Sequence, residues 1–175
     1  AQPKQAVQLA DGSSSFDGSD DYIDTGTALS YTNHTISAWV KFDTLTGNQH
    51  IFDTRDADDD GIRLVHDNGG SLYYQVNSSD VTATTPTDLQ WFHICATYDS
   101  TTQKLYFDGA LQSSATTSQT ISTSANAIIG SLSYGTKTDF FNGSIANVSI
   151  HSSALTQTQV QELMFTEKYA GLSAD

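Results

Sequence analysis

Residues 34–42 alternate between apolar and polar side chains, which leaves few folds open to this chain. Ile36, Ala38, Val40 and Phe42 take one set of alternate positions, and polar or larger residues take the other. A period of two places alternate side chains on opposite faces of a β-strand, so the segment predicts a strand with one face on a core. An amphipathic helix would instead need apolar residues three and four positions apart.

Similar apolar runs recur along the chain at short intervals. They lie at residues 49–52, 61–66, 71–76, 90–98, 104–107, 127–130 and 141–150. Turn-forming residues separate them, including the Asp108-Gly109 pair, which is a strong signal for a β-hairpin. Many short strands at this spacing indicate an all-β sandwich or barrel. The Ser/Thr-rich stretch 113–126 is either a long surface connection or a weak edge strand.

One helix is predicted, from Thr156 to about Phe165. The Thr156 hydroxyl can cap the start of the helix. Val160, Leu163 and Met164 form a short apolar stripe at helical spacing. We expect this helix to seal the sandwich rather than to recognise a ligand.

Length and charge limit the number of domains and the kinds of partner. The chain has 175 residues, so we expect a single domain over 1–175, with a core from about 5 to 168 and a tail or linker at 169–175. Twenty acidic and seven basic residues give a net charge of −13. That balance argues against nucleic acid and anionic lipid surfaces, which bind clustered Lys and Arg. No apolar stretch approaches the roughly 18 residues of a membrane-spanning helix.

Four residues in apolar surroundings are interpreted as structural. Cys95 is the single cysteine, and we expect a small core residue rather than a nucleophile. Trp39 and Trp91 are large enough to fill the space between two sheets, where we expect both. His93 lies between apolar neighbours and is expected to be a hydrogen-bonded structural histidine.

Five motifs follow one another in an order found in a known family. They are residues 15–23 (SFDGSDDYI), 35–41 (TISAWVK), 91–99 (WFHICATYD), 104–109 (KLYFDG) and 141–148 (FNGSIANV), the last followed by the turn 154–156 (ALT). Over about residues 14–163 the chain therefore resembles the laminin-G-like and pentraxin-like domains of the concanavalin A-like lectin/glucanase superfamily. The resemblance implies an all-β, concanavalin A-like jelly-roll sandwich of two curved antiparallel sheets with one short C-terminal helix.

An acidic loop over residues 53–61 is a candidate cation site. Five of its eight residues from position 53 to 60 are aspartates, whose mutual repulsion a Ca²⁺ ion would relieve. The resemblance to a pentraxin calcium loop implies Asp59 and Asp60 as metal ligands. The later loop that completes the pentraxin site matches residues 131–135, which have no carboxylate, and Asp139 is the nearest one. A single cation is therefore expected, and a solvated acidic loop is the alternative.

A second acidic cluster lies near the first motif. The resemblance implies one structural calcium ion where the first and last strands meet, with Asp17, Asp20 and Asp21 as ligands. Asn147 would supply a neutral oxygen from the last strand, where relatives often have an acid. The alternative is turn chemistry, in which aspartates accept hydrogen bonds from nearby backbone N–H groups.

Catalytic patterns are missing from the sequence. Glucanases that share this sandwich have closely spaced glutamates on one strand, and glycosidases need two facing carboxyl groups. This chain has two glutamates, Glu162 and Glu167, both in or after the predicted helix. Its five histidines lack the spacing of a zinc site. We therefore predict that the protein is not an enzyme.

Binding is the better class, because sugar-binding sandwiches combine exposed aromatic rings with carboxylate and amide groups. Either of the adjacent Tyr73 and Tyr74 could supply a ring, and we choose Tyr74. The ligand-binding residues predicted in this way are Asp56, Asp58, Tyr74, Tyr134, Asp139 and Phe140.

The sequence thus predicts a non-catalytic extracellular binding module within a larger protein, most simply for calcium-supported carbohydrate binding or adhesion. The partner is expected to be a glycan or a cell-surface or extracellular protein, and oligomerisation is left open. The expected location is secreted, at the cell surface or on a virion. The alternative is a structural or assembly protein that makes protein contacts only, and a glycan-cleaving enzyme comes third.

Overall fold

The computed structural model describes residues 13–29, 31–58 and 60–169, apart from the side chains of residues 168 and 169. This part of the chain forms twelve strands and one helix. They are β1 (Ser14–Asp17), β2 (Ile23–Ala28), β3 (His34–Phe42), β4 (Gln49–Asp53), β5 (Ile62–His66), β6 (Ser71–Val76), β7 (Ser79–Thr84), β8 (Phe92–Tyr98), β9 (Thr102–Phe107), β10 (Ala110–Thr116), β11 (Asn126–Ile129), β12 (Asn142–His151) and α1 (Gln157–Tyr169).

The strands form two antiparallel sheets of six strands each. Sheet A has the order β1-β12-β3-β8-β9-β10, and sheet B has the order β2-β11-β4-β5-β6-β7. Every strand pair within them is antiparallel. The predicted all-β jelly-roll sandwich with one C-terminal helix is confirmed.

The main core lies between the two sheets and uses the alternation seen in the sequence. Ile36, Ala38, Val40 and Phe42 of β3 belong to one buried cluster, together with inward-facing residues of sheet B such as Leu64. Each of these five side chains is no more than 1% exposed. Burial at this level supplies roughly 1.5–3 kcal/mol for each large apolar side chain.

The two tryptophans are buried, but the prediction that they lie between the sheets is wrong. Trp39 and Trp91 form a separate cluster with Ala146, and Met164 of α1 packs against it. Trp39 lies at the opposite parity from Val40 on β3, so its side chain points to the outer face of sheet A. The helix covers that face, and a second cluster beneath it joins Cys95, Tyr106 and Val160.

The helix begins as predicted and extends further, to residue 169. Thr156 caps it reciprocally with Gln159: the backbone N–H of Gln159 donates to Thr156 Oγ1, and the backbone N–H of Thr156 donates to Gln159 Oε1 at 2.9 Å. Val160 is fully buried, whereas Leu163 and Met164 are partly buried. Among the described residues, no helix has the length and apolar character needed to cross a membrane.

A buried polar cluster attaches the last turn of α1 to sheet A. The Glu167 carboxylate accepts hydrogen bonds from Ser37 Oγ at 2.7 Å and Ser149 Oγ at 2.6 Å, and its Oε2 lies 2.9 Å from His93 Nε2. His93 is fully buried in this cluster. The prediction of a hydrogen-bonded structural histidine is therefore confirmed.

Four strands were not among the predicted runs, and they are the four edge strands of the two sheets: β1, β2, β7 and β10. All six residues of β2 are exposed, and five of the seven residues of β10 are exposed while the other two are partly exposed. An edge strand packs less of its surface, so its sequence does not need strong apolar alternation. Within the stretch 113–126, residues 113–116 belong to edge strand β10 and residues 117–125 form a connection.

Candidate ligand-binding face

The outer face of sheet B presents a row of polar side chains that crosses four neighbouring strands. The strand register places Asp53 of β4 opposite Arg63 of β5, Arg63 opposite Gln75 of β6, and Gln75 opposite Asp80 of β7. Their neighbours along the strands, such as Leu64, point into the core. We call Asp53, Arg63, Gln75 and Asp80 the polar row. The outer face of sheet B lies on the opposite side of the sandwich from the outer face of sheet A, which α1 covers.

A second row runs beside the polar row on the same face. It consists of His50, Val65, Tyr73 and Thr82, again one residue from each of β4 to β7. A bulge between His50 and Phe52 turns the His50 side chain onto this face while Ile51 and Phe52 both join the core. Tyr73 is partly exposed and is the aromatic ring of this row.

Asp53 is a buried anion held by its neighbours. Its carboxylate accepts the backbone N–H of Arg55 at 2.7 Å and the Arg55 side chain at 3.2 Å, and it accepts Ser133 Oγ at 2.7 Å. His50 Nδ1 lies 2.8 Å from Asp53 Oδ2, a short approach but not well directed for a hydrogen bond. Burial alone would raise the pKa of Asp53, but His50 and Arg55 outweigh it and hold the pKa below its usual value.

Each of the chain's two arginines lies over a tyrosine ring on this face. Arg55 Cζ is 5.7 Å from the centroid of Tyr134, and Arg63 Cζ is 5.0 Å from the centroid of Tyr73. Tyr134, which the sequence analysis selected as a ligand contact, belongs to the loop 131–141 beside β4. Ser133 of that loop also donates a hydrogen bond to the carbonyl of Arg55. The loop therefore fixes Arg55 from one side while Asp53 holds it from another.

Two polar atoms of the polar row are buried without a hydrogen-bond partner in the described part of the chain. They are Arg63 Nε and Gln75 Oε1, on directly opposed residues of β5 and β6. Buried polar groups are nearly always hydrogen-bonded, and exceptions commonly mark a functional site or an unseen partner. Asp53, the carboxylate opposite Arg63, is bound to Arg55 and His50 instead.

The acidic loop closes on itself through backbone hydrogen bonds. Asp56 Oδ1 accepts the backbone N–H groups of Asp58 and Asp60 at 3.0 and 3.2 Å, and Asp60 Oδ2 accepts Ser122 Oγ at 2.6 Å. Asp59 lies outside the described residues. The carboxylates that are described here form no group of three at metal-binding distance. The cation site at Asp59 and Asp60, and ligand contacts at Asp56 and Asp58, stay predictions.

Gly61 allows the acidic loop to return tightly to β5. Its φ is +138°, and a Cβ atom there would lie 2.7 Å from the Thr54 carbonyl oxygen. Any side chain at this position would therefore push the loop away from the strand that carries Arg63.

The three aspartates of the first motif do come together. Asp17, Asp20 and Asp21 are exposed, and each offers a carboxylate oxygen within 4.8 Å of the others. Turn hydrogen bonds are also present, because Asp17 Oδ1 accepts the Ser19 N–H at 2.8 Å and Asp21 Oδ2 accepts the Asp17 N–H at 3.1 Å. Several oxygens of the three carboxylates are left for a cation, so the donor set fits Ca²⁺.

Asn147 does not belong to this cluster, and its selection as a ligand is corrected by the register. Asp17 pairs with Asn142, so Asn147 lies five residues further along β12, roughly 15 Å away at strand spacing. Its side-chain amide instead donates to the Glu167 carbonyl at the end of α1. Asn142 is the residue of the last strand beside the cluster, and its Nδ2 donates to the Asp17 carbonyl at 3.2 Å.

The remaining predicted contacts divide between a cleft and the core. Asp139 and Phe140 line a cleft of about 310 Å³ at the end of the sandwich, and Asn142 lines it too. Asp139 also reaches the sheet B face, where its Oδ2 lies 3.7 Å from His50 Nε2. Tyr74 is 0% exposed, with its hydroxyl 2.5 Å from His34 Nε2 in the core. Tyr74 as a ligand contact is therefore wrong, because the ring faces inward.

The residues that the sequence analysis missed on this face are Arg55, Arg63, Gln75 and His50. A signal for two of them was present, because Ile62 and Leu64 alternate with Arg63, and Leu72 and Tyr74 alternate with Tyr73 and Gln75. No local pattern placed His50 on this face. The bulge in β4 shifts the alternation of its side chains by one residue, so simple alternation from Phe52 would have placed His50 in the core.

Comparison with known proteins identifies the family of the chain. The family model described as the concanavalin A-like lectin/glucanases superfamily (Laminin_G_3) matches residues 17–161, most of the chain. The predicted resemblance is therefore confirmed. A search of the curated proteins finds no match.

Solved structures with a similar fold include several binding domains. The CBM40 domain of a Ruminococcus gnavus IT-sialidase matches with a TM-score of 0.69 and 15% identity over 87% of this chain and 95% of the other. Domain 4 of an extracellular arabinanase from Geobacillus stearothermophilus, in complex with arabinotriose, has a TM-score of 0.61 and 24% identity over 77% and 68%. The binding domain of botulinum neurotoxin DC, in complex with rat synaptotagmin II, has a TM-score of 0.64 and 15% identity over 79% and 37%. At these identities the likeness establishes a shared fold.

Proposed function

The chain belongs to the concanavalin A-like lectin/glucanase superfamily, and from that premise we propose that it is a non-catalytic carbohydrate-binding module whose ligand lies on the outer face of sheet B. Structures with this fold include a CBM40 domain bound to sialyllactose and an arabinanase domain bound to arabinotriose. They support the class of function, and the residues of this chain support the place.

The observation that carries the proposal is the pairing of an aromatic ring with unsatisfied polar atoms on one open face. Tyr73 offers a partly exposed ring, and Arg63 and Gln75 beside it are partly exposed side chains that each keep one buried polar atom without a protein partner. Ligand sites commonly combine aromatic surface with a few polar groups that fix orientation. A sugar presents an apolar ring face and hydroxyl groups, and so matches both features.

The carboxylates of the face support binding rather than hydrolysis. Asp53 and Asp80 lie at opposite ends of the polar row, three strands and therefore roughly 14 Å apart. Glycosidases place their two carboxyl groups at about 5 to 9.5 Å. Glu167 is buried under α1 on the other sheet, and Glu162 is on the exposed side of that helix.

We also propose that Ca²⁺ binds Asp17, Asp20 and Asp21 and that the module works outside the cell. The clustered carboxylates support the ion, and extracellular modules commonly use weak sites filled at 10⁻⁴–10⁻³ M calcium, on the order of extracellular concentrations. A bound ion would tie the loop after β1 to β12, beside Asn142. It lies away from the polar row, so we assign it a structural role.

The test is binding of the purified protein to a panel of oligosaccharides, followed by titration calorimetry on the ligands found. We expect Tyr73→Ala to weaken binding by about tenfold or more, since an aromatic platform contributes area and ring contacts. The matched control is Tyr31→Ala, which removes an exposed tyrosine from the connection leading to β3 of sheet A. Thermal unfolding of both variants checks the fold.

Equal affinity of Tyr73→Ala and the unmodified protein would exclude this face as the site. Silence of the whole panel, together with a stable oligomer of the purified protein, would favour the structural or assembly role over carbohydrate binding.

A further inference from the structure

We propose that the glycan recognised on the sheet B face carries a carboxylate, and that Arg63 binds this carboxylate. This inference rests on the proposed function and names the class of sugar: an acidic pyranose, which sialic acids and uronic acids both provide.

Basic residues are scarce in this chain, and both of its arginines lie on one face. The sequence has seven Lys and Arg residues against twenty Asp and Glu, and two of the seven are arginines. Both arginines lie on the sheet B face, each over a tyrosine ring. Lys137 is on the adjoining loop, where it donates to the Ser133 carbonyl and lies over Tyr22. Although the net charge of the protein is −13, both of its guanidinium groups therefore lie on one surface.

The two arginines differ in what already binds them. Arg55 is committed to the protein, because its side chain contacts Asp53 at 3.2 Å and is 5% exposed. Arg63 is partly exposed, and the described residues provide no carboxylate for it. Its Nε is buried without a partner, so its two terminal nitrogens are the part that a ligand can reach. A guanidinium with this edge open suits a carboxylate, which it can bind through two parallel hydrogen bonds.

The neighbours of Arg63 complete a site for a sugar acid. Gln75, directly opposite on β6, is partly exposed, and its side-chain amide can exchange hydrogen bonds with a sugar hydroxyl. Tyr73, which lies under the Arg63 guanidinium, supplies the ring surface. Burial raises the pKa of Tyr73, so the phenol is neutral at physiological pH and does not compete as an anion for Arg63.

Asp80 gives the β7 end of the polar row a negative charge. It lies opposite Gln75 at the edge of the sheet and is exposed, whereas Asp53 at the other end is buried and paired with Arg55. A ligand carboxylate is therefore repelled from the β7 end of the row and attracted to Arg63 in its middle. A sugar hydroxyl would fit the Asp80 end, since carboxylates accept hydrogen bonds from hydroxyls.

The experiment compares acidic glycans with their neutral counterparts. A sialylated oligosaccharide and an oligouronate are each titrated with the protein beside the same compound after reduction of its carboxyl group. We expect at least one acidic form to bind about tenfold more tightly than its reduced form, as a charge-assisted hydrogen-bond pair predicts. Binding of the first or the second compound identifies the source of the carboxylate.

Arg63→Gln is the decisive variant. It should remove the preference for the acidic form by weakening the binding of that form much more than the binding of the reduced form, while Arg63→Lys should retain only part of the preference. The charge-matched control is Lys41→Gln, which neutralises a basic residue on sheet A that contacts Asp43 at 3.3 Å. Circular dichroism and thermal unfolding confirm that each variant is folded.

Failure of this inference is distinguishable from failure of the proposed function. Equal binding of acidic and reduced glycans, still lost in Tyr73→Ala, would leave the carbohydrate-binding face in place and overturn the role of Arg63. Equal weakening of both forms by Arg63→Gln would also overturn it. Absence of binding to acidic and neutral glycans alike would overturn both.

Discussion

Burial sets the protonation state of His34, a residue of β3 that lies against the core. Its Nε2 is 2.5 Å from the Tyr74 hydroxyl and its Nδ1 is 3.2 Å from the Tyr31 carbonyl. Burial lowers the pKa of His34 to about 4, although the hydrogen bond to the Tyr31 carbonyl acts in the opposite direction. The ring is therefore neutral in the folded protein at physiological pH, and its charging is coupled to unfolding.

The stability of the protein should fall as the pH is lowered from about 6.5 to 4. In this range the unfolded chain binds a proton at His34 that the folded chain does not, so each step down in pH favours unfolding. The two pKa values correspond to a loss of about 3 kcal/mol by pH 4. Urea unfolding at a series of pH values measures it, with His34→Gln as the control. The same pH dependence in the variant would assign the effect to other groups.

The position of each residue in the in-and-out alternation of its strand decides whether it can contact a ligand, and Tyr74 was selected without that information. Tyr73 and Tyr74 are adjacent and identical in type, yet one lies on the open face and the other in the core. A strand turns successive side chains to opposite faces, so a choice between neighbours is decided by the whole strand. Leu72 and Val76 share the parity of Tyr74 and would have assigned Tyr73 to the surface.

At the scale of elements, central strands could be predicted and edge strands could not. The alternation over His34–Phe42 matched β3 at both ends, because that strand packs on the core along its length. The exposed β2 and β10 lack such a constraint. The position of α1 also could not be predicted, since a short amphipathic helix does not indicate which sheet it covers. Consequently the tryptophans were assigned to the wrong side of sheet A.

The attachment of α1 depends on Glu167, and Glu167→Ala should destabilise the protein by about 3–5 kcal/mol. The substitution leaves the Ser37 and Ser149 hydroxyls and the His93 ring without their acceptor in a buried site. Chemical denaturation measures the loss. Glu162→Ala, on the exposed side of the same helix, is the control and should change stability by less than about 0.5 kcal/mol. Equal effects of the two substitutions would mean that the buried cluster contributes little.

At the scale of the whole molecule, the two outer faces of the sandwich are covered to different extents. The helix, two tryptophans and the Glu167 cluster close the outer face of sheet A. The outer face of sheet B keeps its polar row open. The family resemblance predicted the sandwich, but the row required the strand register, because its members come from four strands that are separated in sequence.

Calcium should raise the melting temperature of the whole domain if Asp17, Asp20 and Asp21 bind it. Three clustered carboxylates repel one another without a cation, and the ion binds only the folded arrangement. Thermal unfolding in millimolar calcium and in chelator measures the shift, which we expect to be a few degrees. The double variant Asp17→Asn/Asp21→Asn should lose it, whereas Asp43→Asn, an exposed aspartate elsewhere, should retain it. If the melting temperature is the same in calcium and in chelator, these aspartates do not bind calcium and only accept the hydrogen bonds of the turn.

The charge distribution has a consequence for how fast an acidic ligand binds. At low ionic strength the net charge of −13 repels such a ligand at a distance, although the arginine-bearing face would attract it at contact, as proposed above. Salt shortens the reach of both forces, to about 10 Å at 0.1 M. Association and dissociation should then both become faster, so the affinity would change less than either rate. If the ligand is the acidic glycan proposed above, the protein would therefore exchange it faster at high ionic strength than at low ionic strength.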